Sequence, residues 1–156
     1  TLSGAAPSIS YPTPWADVGV LTLTPDDSDF IRIWLDKGDL INVLTYPMDD
    51  GLLDPDTVIA LFDGVSSTAL VSNDDAAPGY FGSFFAFTAP SQGWYYLAIT
   101  GYHGSSGQDL LTYYEGASHF HDGAYMLTIS AVPEPATLLT LGIGVASLLG
   151  IRRRRQ

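Results

Sequence analysis

Cysteine is absent from the 156 residues. That removes disulfides, thiolate catalysis and Cys-ligated zinc, and leaves the compartment open. Basic residues are nearly as scarce. Ahead of Pro133 only Arg32 and Lys37 are positive, against fifteen Asp and Glu115, so residues 1–132 carry a formal charge of −14. Such a body repels nucleic acid and anionic membrane surfaces and suits cations. Nucleic acid is therefore excluded as a partner. Several catalytic signatures are missing too. There is no G-x-S-x-G, no HExxH, no phosphate loop and no dinucleotide fingerprint. Two Asp would suffice for a paired-carboxylate glycosidase, but in so acidic a chain some pair is inevitable and decides nothing. No segment before residue 136 holds a helical period, and no internal repeat occurs.

Gly (16) and Pro (10) are frequent and spread along the chain, which favours turns over long helices. Between them lie short runs rich in β-branched and aromatic residues. The runs are GVLTLT (19–24), DFIRIWLD (29–36), LINVLTY (40–46), TVIALFD (57–63), TALVSND (68–74), SFFAFTA (83–89), WYYLAITGY (94–102) and AYMLTIS (124–130), with LLTYY (110–114) weaker. Alternation puts Leu21 and Leu23 on one side, and Ile31, Ile33 and Leu35 inward with Arg32 outward. TVIALFD and SFFAFTA are apolar on both faces and read as central or covered strands. The expected body is all-β, an antiparallel two-sheet sandwich of the jelly-roll kind, spanning 17–131. Residues 1–16 precede it. The chain opens on Thr1, and TLSGAAPSIS reads as the remnant of an export or cleavage region.

The last 25 residues differ in kind. Pro133-Glu134-Pro135 stops any strand or helix from running in. Ala136–Ile151 is free of charge, about 24 Å as a helix at ~1.5 Å per residue, a minimal single transmembrane helix. Arg152, Arg153, Arg154 and Arg155 follow and would stay in the cytoplasm. A helix apolar all round has no polar face to offer a soluble fold. In order and composition this tail (132–156) resembles a PEP-CTERM sorting signal of Gram-negative bacteria. The resemblance implies transient anchoring in the inner membrane, recognition by an exosortase, cleavage near the PEP motif and delivery to the cell surface or extracellular matrix.

A second resemblance lies in the body. DSDFIRIWLDKGD, DTVIALFD, LVSNDD, FTAPSQGWYYLAITGY and GAYMLTIS occur in the order seen in bacterial pre-peptidase C-terminal (PPC) domains. That family is a calcium-associated β-sandwich carried by secreted enzymes and surface proteins. Two departures are DGLLDP between Met48 and Asp56, and the stretch from His103 to Asp122. Aspartates cluster at Asp26, Asp27 and Asp29, at Asp49, Asp50, Asp54 and Asp56, and at Asn73, Asp74 and Asp75. Ca²⁺ takes six to eight oxygens from such groups. The spacing is not that of an EF-hand, so a site must be assembled from separate loops. The expected ligands are Asp29, Asp56, Asp74 and Asp75.

His119, His121 and Asp122, with His103, form a weaker zinc candidate against the plainer reading of loop histidines. Trp15, Trp34, Tyr80, Trp94, Tyr95, Tyr96, Tyr102, Tyr113 and Tyr114 read first as core and cross-strand packing. Trp34 stands apart because it alternates out of phase with Ile33 and Leu35. The expected function is a non-enzymatic, exported structural or binding module with Ca²⁺ as its expected ion. The alternatives are a carbohydrate-binding module for exopolysaccharide and the accessory domain of a secreted hydrolase.

Overall fold

The computed structural model describes residues 7–49, 54–66, 68–102 and 119–133. Nine strands are present among them: β1 (Ser8–Ile9), β2 (Trp15–Leu23), β3 (Ser28–Leu35), β4 (Leu40–Pro47), β5 (Thr57–Phe62), β6 (Val71–Asn73), β7 (Phe84–Thr88), β8 (Gly93–Gly101) and β9 (Gly123–Val132). One sheet runs β1-β3-β8-β5-β6 and the other β2-β9-β4-β7. With β1 set aside, the remaining eight strands follow the jelly-roll order, the chain crossing between sheets at most turns. β1 departs from an all-antiparallel sandwich: it pairs parallel to β3, Ser8 opposite Arg32 and Ile9 opposite Ile33.

Period-two patterning explains the core. Ile31, Ile33 and Leu35 of β3, Ile41 and Val43 of β4, and Leu97 and Ile99 of β8 are buried against Tyr125, Leu127 and Ile129 of β9. Each such aliphatic side chain is worth about 1.5–3 kcal/mol of burial. Leu21 and Leu23 share the inner side of β2, as their alternation requires. β5 is buried at all six positions. Its second face carries Val58, Ala60 and Phe62, which join Ala98 in a small cluster on the outside of the sheet.

Three strand expectations shift. β2 starts at Trp15, four residues before the expected run GVLTLT, so the expected boundary at residue 17 falls inside a strand. SFFAFTA is an edge strand rather than a central one, with Phe84 exposed. TALVSND shrinks to Val71–Asn73, at the edge of the other sheet. The weaker candidate 110–114 lies outside the described residues. So do Glu134, Pro135, the apolar span 136–151 and Arg152–Arg155; Pro133 is exposed just after β9.

A crossing between the sheets sets up the site described next. The segment Phe81–Ser83 is stitched to both layers: the Thr57 amide donates to Phe81 O at 3.0 Å and the Thr45 amide to Ser83 O at 2.9 Å. Gly82 passes so close to β4 that a Cβ there would stand 2.2 Å from Thr45 O. Only glycine permits that approach. Inside the crossing, Thr45 Oγ1 and Thr57 Oγ1 share a hydrogen bond of 2.6 Å, and the Ser83 amide donates to Thr45 Oγ1 at 2.8 Å. The Ser83 hydroxyl bridges the main-chain carbonyls of Thr57 and Asp74. All three hydroxyl residues are buried, and buried polar groups need such partners.

Candidate metal centre

Asp56 stands immediately before β5, and Asp74 and Asp75 immediately after β6. The two strands are antiparallel neighbours with Ile59 opposite Asn73, so the start of one and the end of the other meet at the same end of the sandwich. The hydroxyl network fixes both ends: Thr57 follows Asp56, and Ser83 holds Asp74 by its carbonyl. Asn73 is fixed as well, its Oδ1 accepting from the Phe84 amide at 2.8 Å.

The three carboxylates present ligand oxygens all within 4.8 Å of one another. Oxygens on opposite sides of one Ca²⁺ stand about 4.6–5.2 Å apart, so a single ion could touch all three. Asp56 and Asp74 are half-buried and Asp75 is exposed. Asp56 Oδ1 and Asp74 Oδ1 are shielded from solvent and have no hydrogen-bond partner. Burial, then the Asp74 carboxylate beside it, pushes Asp56 up to about 7, while His121 acts in the opposite direction. Burial and the Asp75 carboxylate raise Asp74 as well. Carboxylates crowded in this way repel one another, and a hard cation is the kind of ion that such an oxygen set can hold.

Three of the four expected ligands thus come together, from segments 18 residues apart. Asp29 is not among them. The Tyr125 hydroxyl donates to its Oδ2 at 2.6 Å, tying β3 to β9 across the core. Burial raises Asp29 against that bond, with Asp27 adding to the rise. Three other aspartates serve the main chain. Asp49 Oδ2 accepts from the Ala124 amide at 2.6 Å, Asp27 Oδ1 from Ser28 at 2.7 Å, and Asp63 Oδ1 from Val65 and Ser66 at 2.9 Å each. Those two amide bonds, Ser66 first, hold Asp63 below its ordinary value. Asp50 lies outside the described residues.

Among the described residues, His119 and His121 belong to no metal-binding cluster. His119 is buried, and its Nε2 donates to Asp27 O at 2.7 Å. The other face of its ring lies on Gly101, where a Cβ would come within 2.4 Å of Nδ1. His121 stacks on it at 6.4 Å between ring centroids and pairs through Nδ1 with Asp54 Oδ1 at 2.8 Å. His103 lies outside the described residues. The Asp54–His121 pair adjoins the carboxylate cluster and was not legible beforehand, because 67 residues separate its members.

On the outer face of the five-stranded sheet, Trp34 lies opposite Trp94 in register and packs edge-on to it, ring centroids 5.3 Å apart. The Arg32 guanidinium sits over the Trp94 ring at 4.3 Å, and its Nε is shielded without a partner. All three side chains are half-buried.

Comparison with known proteins agrees with this architecture. The family model of the bacterial pre-peptidase C-terminal domain matches residues 27–101, and that of the PEP-CTERM protein-sorting motif matches residues 131–155. No curated protein matches the sequence. Among solved structures, the chain resembles Aeromonas hydrophila PliG, a periplasmic inhibitor of g-type lysozyme. The TM-score is 0.54 at 12% identity, over 81% of this chain and 95% of that one. It also resembles the pre-peptidase C-terminal domain of a Bacillus anthracis collagenase, at TM-score 0.52 and 15% identity over the same shares. At such identities these two likenesses concern the fold alone. The sorting motif is the signal that exosortase processing recognises, and it marks an exported, membrane-transiting precursor. The chain thus joins a β-sandwich that matches the bacterial pre-peptidase C-terminal domain over residues 27–101 to a tail that matches the PEP-CTERM sorting motif.

Proposed function

We propose that the mature protein is a non-enzymatic binding or structural module of the cell surface or extracellular matrix. Its loop end holds Ca²⁺ through Asp56, Asp74 and Asp75. The observation that carries the reading is the pair of shielded carboxylate oxygens without partners, set among like charges. In this reading the tail is an address. Residues 136–151 hold the precursor transiently in the inner membrane, Arg152–Arg155 stay on the cytoplasmic side, and exosortase cleavage releases the body. The body's charge suits a cation-rich exterior. An ion that binds only the folded state stabilises it by about 2.7 kcal/mol at a hundredfold excess over Kd. A rise in Tm on the order of 10 °C follows for a domain of this size. Thermal melts in millimolar Ca²⁺ against EGTA test this, and identical curves would remove the metal from the proposal.

A second reading, a module for extracellular polysaccharide, is favoured by the Trp34–Trp94–Arg32 group. Indole rings stack on sugar rings, and a guanidinium beside them can bond sugar hydroxyls through its terminal nitrogens. Affinity electrophoresis through neutral polysaccharide gels tests it: Trp34→Ala must abolish the retardation shown by the parent chain.

A further inference from the structure

Carboxylate clusters and aromatic faces leave one feature unused. Between the free edges of β1 and β2 lies a cleft of about 160 Å³, lined by Ile9, Leu21, Ile31, Leu127 and Ile129, with Asp17, Val18 and Gly19 from β2. Its origin is local. By alternation Trp15, Asp17, Gly19, Leu21 and Leu23 share one face of β2, and on it Asp17 and Gly19 remain exposed. Two consecutive positions that would ordinarily carry apolar side chains hold instead a short carboxylate and no side chain at all. A Cβ on Gly19 would meet nothing within 4 Å. The facing edge strand β1 is only two residues long and cannot fill the gap. The interior of the cleft is aliphatic, since Leu127 and Ile129 are buried core residues and Ile9 and Leu21 pack against the same core.

Asp17 lines the cleft but is itself exposed, and a charge on an edge strand also guards against edge-to-edge pairing. Asp17 does part of that work, its Oδ1 accepting from the Val18 amide at 2.9 Å. The guard role explains an acid at the edge; it does not explain a space of this size beside it. Apolar cavities of about 150 Å³ lined by such side chains take up benzene-sized molecules. Here the lining adds one carboxylate, on a body whose formal charge is −14. The local and the global charge therefore select the same sign.

We propose that this cleft is a binding site for an apolar group carrying a positive charge at one end, an aryl- or alkylammonium, with its body among Ile9, Leu21, Ile31, Leu127 and Ile129 and its ammonium at Asp17. The site stands apart from the carboxylate cluster and does not depend on the calcium reading. The probes are benzylammonium, the neutral benzyl alcohol and the anionic benzoate, titrated into the full chain while the methyl resonances of the lining residues are followed by NMR. Benzylammonium shifts those methyls with a Kd on the order of a millimolar, as befits so small a ligand. Benzyl alcohol binds about three- to fivefold more weakly, the worth of one exposed ion pair, and benzoate more weakly still. Asp17→Asn keeps the acceptor for the Val18 amide and erases the preference for ammonium over alcohol. Gly19→Leu fills the cleft and abolishes the shifts for every probe. Three results would overturn the proposal: no methyl shifts in the parent chain, equal affinity for ammonium and alcohol, or an ammonium preference that survives Asp17→Asn.

Discussion

Asp56 has one carboxylate oxygen shut away from water and two further carboxylates beside it. In metal-free protein its pKa stands near 7 against an ordinary 3.8. The folded state then keeps a proton that the unfolded chain releases above about pH 4. Stability falls as pH rises from there to about 7, and the full penalty applies above it. Asp74 contributes in the same direction. In EGTA, Tm should therefore drop between pH 5 and pH 8, whereas saturating Ca²⁺, which takes the ionised form, should remove most of that drop. Asp56→Asn should raise Tm in EGTA at pH 8, flatten the pH profile and abolish the response to Ca²⁺. Circular-dichroism melts across the pH series check all three. A Tm that climbs with pH in EGTA would contradict the account.

Among the elements, the crossing at Phe81–Ser83 matters most. It links β4, β5 and the end of β6 through three buried hydroxyl residues, and it sets the separation of Asp56 from Asp74. Ser83→Ala leaves the Thr57 and Asp74 carbonyls short of a donor. The expected loss is about 1–3 kcal/mol, read as a lower denaturation midpoint. Calcium affinity should weaken with it, because Asp74 loses its anchor; isothermal titration separates the two effects. The same element explains the shifted strand assignments. SFFAFTA reads as a doubly apolar strand, yet Phe85 points into the core while Phe84 remains exposed on an edge. Apolar character on two faces records that both faces are apolar, and says nothing of what covers them. For β5 the cover exists; for β7 at Phe84 it does not.

For the whole molecule, the division between body and tail governs what is delivered. The described fold ends with β9 at Val132, whose partner is Leu40 of β4. The match to the sorting motif begins at Ala131, so its first two residues are the last two of β9 and the rest follows the strand. Mass spectrometry of protein recovered from the cell exterior should therefore show a chain ending near Pro133–Pro135 and lacking Arg152–Arg155. Intact chains carrying all four arginines outside the cell would exclude processing. Deleting residues 134–156, which spares all of β9, should leave Tm unchanged within a degree or two, since β9 is already paired along both edges by β2 and β4.

The two-part plan was legible in the residues alone, for reasons that are local. Charge asymmetry, the Pro133-Glu134-Pro135 stop, the apolar run and the arginines are all contiguous, and strand alternation at Ile31, Ile33 and Leu35 is a property of one segment. Three of the four expected ligands were legible as acidic strand ends. Their assembly was not, because it depends on β5 and β6 lying side by side and on Ser83 holding the corner. Asp29 looked equivalent in sequence and parted from the others only when Tyr125, 96 residues away, bonded it. Likewise Gly19 read as the start of the strand GVLTLT, and it and Asp17 line a cleft because β1, on the facing edge, is only two residues long. What a segment can form is set by its own pattern; which carboxylates stand together, and where space remains, is set by pairings between strands far apart in the chain.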